Sequence, residues 1–95
     1  MSRHAIIVSV VTKLREERTL EPGESTQFGA SFNAITGRPR LDVIIEVPSH
    51  VRSHVEVDDA LLGKREEPAK AYRVFRVRNK SSWTAFVRFV EYIEG

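Results

Sequence analysis

The chain contains no cysteine. That removes disulfide staples, thiolate zinc sites, iron–sulfur clusters and a cysteine nucleophile together, and it leaves the fold indifferent to the redox state of its compartment. No stretch approaches the roughly 20 apolar residues that a membrane-crossing helix needs. An excess of charge of one sign is also missing, because a formal net charge of +2 names no partner. Gly37 and Gly63 stand isolated, so there is no phosphate-cradling glycine loop. Ninety-five residues leave room for one domain spanning 1–95 and none for a second. A domain of this size buries only about two-thirds of its unfolded surface, which leaves little depth for a catalytic cleft.

What remains is an ordinary globular composition, 41% apolar and 29% charged. Met1 to His4 followed by the apolar run Ala5 to Val11 imitates a signal peptide, but the run is short, β-branched and followed by Lys13, Arg15 and Arg18. It is therefore expected to be the first strand of a complete, soluble protein without a signal peptide, cytoplasmic or virion-associated.

The alternation of apolar and polar residues predicts strands at Ala5 to Leu14, Ser25 to Ile35, Leu41 to Val47, around Val51 to Val57, Tyr72 to Arg78 and Trp83 to Ile93. Arg15 to Arg18 reads as a strand end or loop. Glu21-Pro22-Gly23-Glu24 is a turn in which Pro22 presets its backbone angle and Gly23 supplies a positive one. Thr36-Gly37-Arg38-Pro39 is another. Gly29, inside a strand, points to a bulge or a close backbone approach. Asp58 to Leu62 is expected to form one helical turn, capped by Asp58 or Asp59 and closed by Gly63. The last two strands read as a hairpin joined by Asn79-Lys80-Ser81-Ser82. The expected fold is all-β, a small immunoglobulin-like antiparallel sandwich of six or seven strands. The alternative is a five-stranded OB-type barrel with its short helix near residues 58–66.

Candidate chemistry is sparse. His50 and His54 on an extended backbone lie about 13 Å apart and cannot share an ion. The acids Glu56, Asp58 and Asp59 lack a glycine-punctuated calcium loop, so capping is the plainer reading. Ser81 and Ser82 could meet a histidine in space, yet no nucleophile elbow surrounds them. No nucleophile and base can be paired, so the chain is expected to be no enzyme and to use no metal or cofactor.

Residues 71–90 carry Arg73, Arg76, Arg78, Lys80 and Arg88 without one acid. Interleaved with Tyr72, Phe75, Trp83, Phe86 and Phe89, they could grip phosphates and stack bases. Alternation nevertheless sends most of the rings inward and the arginines to solvent. Arg73, Arg76, Arg78, Lys80, Trp83 and Arg88 are the candidate interaction residues. The terminal strands add a second signal, because Ala85, Val87 and Phe89 fill one face of the last strand while Phe86, Val90 and Tyr92 occupy the other. One core absorbs one face of a strand, so the remainder calls for a neighbour.

These features lead to the expectation of a non-enzymatic structural or protein-interaction module that self-assembles or enters a larger complex. Its profile is similar to the small β-sandwich accessory proteins of phage virions, in capsid decoration or tails. Nucleic-acid binding through the basic hairpin is the alternative. No membrane partner and no small-molecule substrate is expected.

Overall fold

A computed structural model describes residues 10–63 and 69–94. Six strands follow one another as β1 (Val10–Leu20), β2 (Ser25–Asn33), β3 (Arg40–Glu46), β4 (Val55–Gly63), β5 (Lys70–Asn79) and β6 (Ala85–Glu94). They form two three-stranded antiparallel sheets, ordered β1-β6-β3 and β2-β5-β4. The expected sandwich is thus the architecture, and a closed barrel is not. In immunoglobulin lettering the second sheet follows the order B-E-D, and β3-β6 follows C-F. The first strand stands where the last strand, G, would lie.

The core forms between the sheets because each strand delivers one apolar parity to it. Ala85, Val87 and Phe89 come from β6, Leu41 from β3 and Leu20 from β1. Phe28 and Ala30 come from β2, Phe75 and Val77 from β5, and Val55 from β4. Phe28 and Phe89 stack across the sandwich with ring centroids 5.4 Å apart.

Strand β1 needs a correction of phase to join this core. Its register on β6 shifts between Leu14 and Glu16, so Arg15 is the extra residue of a β-bulge. Without that insertion Leu20, which is 4% exposed, would fall on the outer face. The bulge and the charges around it made Arg15 to Arg18 read as a loop. They are strand, and charge along an edge strand blocks unwanted pairing. Of the expected first strand, Ala5 to Ser9 lie outside the described residues.

Three further expectations are overturned. Asp58 to Leu62 is not a helical turn but part of β4, in continuous register from Val55 opposite Asn79 to Gly63 opposite Ala71. A ladder of that length outweighs one capped turn, whose nucleation is unfavourable. Val51 to Val57 is not one strand, since Val51 sits in a turn followed by a 3-10 turn at Arg52–His54. The last two strands are not a hairpin, since β5 pairs with β2 and β4 while β6 pairs with β1 and β3. Residues 80–84 therefore cross from one sheet to the other.

The turn at Glu21 to Glu24 forms as expected, with Gly23 at φ 86° and the Glu24 N–H donating to the Glu21 carbonyl at 3.0 Å. Gly29 lies in an unbroken register rather than a bulge. The Tyr72 ring lies against it, and a Cβ there would stand 2.6 Å from ring atoms. No described helix is long and apolar enough to cross a membrane.

Asn79 holds the crossing together. It is fully buried, at the inward parity set by Phe75 and Val77. Its side-chain NH2 donates to the Leu20 carbonyl at 3.0 Å and to the Trp83 carbonyl at 2.6 Å. Its Oδ1 accepts from the Ser81 N–H at 3.1 Å and from the Ser81 hydroxyl at 2.6 Å. The backbone adds two more bonds, from the Gly23 N–H to the Asn79 carbonyl at 2.8 Å and from the Asn79 N–H to the Glu24 carbonyl at 2.9 Å. Every polar group of this residue is used, and the end of β1, its turn, β5 and the approach to β6 are fixed to one point. Removing the side chain would take the Asn79 partner from the buried Leu20 carbonyl and the Ser81 N–H, and would leave the Trp83 carbonyl only the Ser81 hydroxyl at 3.1 Å. Asn79→Ala is therefore expected to lower stability by ~3 kcal/mol, against less than ~0.5 kcal/mol for the exposed Ser82→Ala. Chemical denaturation checks this, and a loss below ~1 kcal/mol for Asn79→Ala would mean that water replaces the network.

Candidate functional site

The six candidate residues do not form one surface. Arg73 faces inward on β5, where it donates from Nε to Asp59 Oδ1 at 3.0 Å and from Nη2 to Asp59 Oδ2 at 2.5 Å. Its guanidinium also lies 4.7 Å from the Phe75 ring centroid and donates to the Leu41 carbonyl of the other sheet at 3.3 Å. Hydrogen bonding to Asp59 pushes Arg73 still further above its already high value, with partial burial opposing it. Asp59, expected as a helix cap, is instead the partner of this inter-sheet arginine.

Arg76 and Arg78 point outward from the second sheet, opposite Asp58 and Glu56 of β4 in the ladder. Lys80 pairs with Glu56 at 2.8 Å, and that hydrogen bond lowers the Glu56 carboxyl; desolvation opposes it, and the charges of Lys80 and Arg78 add to the lowering. Arg88 lies on the outer face of the first sheet, against Glu46 of β3 at 2.7 Å and Glu17 of β1 at 3.8 Å. Arg73, Lys80 and Arg88 thus face carboxylates from other parts of the chain, and Arg88 is on the opposite side of the sandwich from Arg76 and Arg78. A stretch without acids in sequence becomes a set of ion pairs once strands pair. At these exposures solvent screens the pairs, and they add little to stability.

Trp83 stands at the crossing, half exposed, with the His50 ring edge-on at 5.7 Å. His50, Val51, His54, Lys80, Ser81, Ser82 and Trp83 line one shallow depression. The extended backbone expected between His50 and His54 is replaced by the turn and the 3-10 turn, which bring both to that depression. No three His, Asp or Glu side chains gather as a metal site among the described residues. The Ser81 hydroxyl is taken up in the Asn79 network, donating to Asn79 Oδ1 and accepting the Trp83 N–H at 3.1 Å. It holds the crossing rather than waiting for a base.

The apolar residues divide differently from the charges. On the first sheet Val90 is buried, whereas Leu14 and Phe86 on the same outer face are half exposed. Val11 and Ile93, opposite one another in the β1–β6 ladder, are 57% and 43% exposed although their parity is inward. At the far end of β4, Leu61 is 65% and Leu62 56% exposed. Sequence reading missed these two leucines because it wound them into a turn. The signal for a strand was the shared parity of Val55, Val57 and Leu61, broken only at Asp59.

The class that fold and site define is a small two-sheet β-sandwich with paired surface charges and unpaired surface hydrophobes. Comparison with protein families, with curated proteins and with solved structures finds no match.

Tyr92 provides a probe of the outer face of the first sheet. Its hydroxyl donates to Asp42 at 3.2 Å. Burial first, and then the Asp42 charge, push the phenol above its ordinary value. The folded state thus favours the neutral phenol, and this contribution is present below the ordinary tyrosine range and lost as pH rises through the raised value. In Tyr72→Phe protein, where Tyr92 is the sole tyrosine, ultraviolet absorbance should show phenolate forming at higher pH than in free tyrosine. Asp42→Asn should move that transition back down. A transition at the free value would contradict the contact.

Proposed function

We propose that the chain is a non-enzymatic structural or protein-interaction module that packs against protein neighbours in a larger assembly. A phage virion, in which it would serve as a capsid decoration or tail accessory protein, is the setting its profile fits. It would act there as a soluble, cytoplasmic or virion-associated protein.

The observation that carries this reading is the exposure of large apolar side chains on ordered strands, with Val11, Leu14, Phe86 and Ile93 on the terminal pair β1 and β6. A solvated strand face keeps such residues few, and clusters of them mark contacts. The nucleic-acid alternative draws less support. Of its cations, Arg73, Lys80 and Arg88 lie against carboxylates, and Arg76 and Arg78 stand beside the acids of β4.

Sedimentation of the pure protein over a concentration series, at low and at moderate salt, tests the proposal. Reversible association that survives the added salt is the expected result. A monomer throughout overturns self-assembly, and quenching of Trp83 fluorescence by oligonucleotides that salt reverses would favour the alternative.

A further inference from the structure

The four edges of the two sheets are not equally guarded. On β1 the edge carries the bulge at Arg15 and the charges of Lys13 to Arg18. On β3 the Asp42 carboxylate accepts the N–H of Val43 at 2.7 Å, and Arg73 occupies the Leu41 carbonyl. Strand β2 buries Phe28 and Ala30 and shows polar Ser25, Gln27, Ser31 and Asn33. Strand β4 differs from all three. Beyond Val55 its apolar residues are exposed on both faces, with Val57 and Leu61 at inward parity and Ala60 and Leu62 outward. Among the described strands only β5 pairs with it.

We propose that β4 is a self-recognition edge, on which the β4 of a second copy pairs antiparallel and extends the second sheet from three strands to six. This rests on the reading of the chain as an assembly module, and it assigns the surface. The distribution of charge along the strand selects this pairing. Glu56, Asp58 and Asp59 occupy its first half, and Ala60 to Gly63 carry no charge. Antiparallel pairing places the acids of the two copies at opposite ends, whereas parallel pairing would stack them.

The register follows as well. A two-fold axis perpendicular to the sheet keeps each side chain on its own face, so paired residue numbers must share parity. Centring on Ala60 would set Asp59 against Leu61 and Asp58 against Leu62. Centring on Leu61 sets Leu61 against its own copy and Ala60 against Leu62, and all three apolar residues are then matched. The second register is the one inferred.

The full chain carrying Leu61→Glu and the full chain carrying Leu61→Lys, sedimented separately and as an equimolar mixture, test it. The substitutions sit at an exposed position, so both variants should unfold at denaturant concentrations close to that of the parent. The parent should form a concentration-dependent dimer, each variant alone should be a monomer, and the mixture should recover the dimer. Because the chain has no cysteine, Leu61→Cys provides a second reading that needs no charge. It should oxidise to a covalent dimer far faster than Glu46→Cys on the other sheet. If the variants associate like the parent, the β4 inference is overturned while the assembly reading stands. A monomeric parent, a mixture that stays monomeric, or equal oxidation rates at the two cysteine positions would also overturn it.

Discussion

Asn79 is the point on which the sandwich depends. Two sheets held only by apolar contact can slide, because burial is non-directional and the inner faces are rows of Val, Phe and Ala. Directional bonds fix the offset. Asn79 makes four through its side chain, and they reach the end of β1, the Ser81 turn and the approach to β6. With two carbonyls on one side of the amide and two donors on the other, only one orientation of the group satisfies all partners. Among the described residues no buried side-chain polar atom lacks a partner, so this network is complete rather than partial. Complete networks specify a structure, whereas a single missing bond at this depth would leave a cost of about 1–3 kcal/mol.

That constraint decides what happens to the charges and hydrophobes outside the core. Because residues 80–84 cross between the sheets, β5 and β6 display their arginines on different faces. Arg73 bridges the sheets beside Phe75, and Arg88 meets β1 and β3. The crossing also makes both sheets short, at three strands each, and leaves four edges. Three of those edges carry charge, side-chain bonding or polar cover. The fourth, β4, ends in exposed leucines, and the outer face of the first sheet keeps Leu14 and Phe86 in solvent.

Much of the fold was legible from residue patterns. Alternation located the inward residues of β2, β5 and β6, and Pro22-Gly23 located the first turn. What failed did so for physical reasons. The bulge at Arg15 changed the phase of β1, and a strand whose period breaks amid four charges looks like a loop. Asp59 at an inward position broke the alternation of β4, so the segment resembled a cap followed by a turn, although the Arg73 pair makes that inward charge tolerable. The parity of Phe75 and Val77 already put Asn79 inside. Its neighbours Lys80, Ser81 and Ser82 suggested a hairpin turn instead, and strand partners cannot be read from parity. The candidate cations were correctly sent outward in part, but their carboxylate partners lie on strands distant in sequence.

One buried amide, that of Asn79, joins the end of β5 in one sheet to β1 in the other. Hydrogen exchange of the Asn79 side-chain NH2 protons, followed by NMR, tests this most directly. Protons that donate to Leu20 and Trp83 inside a dry junction should exchange only when the whole domain unfolds, with protection close to that of the slowest backbone amides of β5 and β6. Exchange as fast as that of the side-chain amide of exposed Asn33 would show that the junction opens independently of the sandwich.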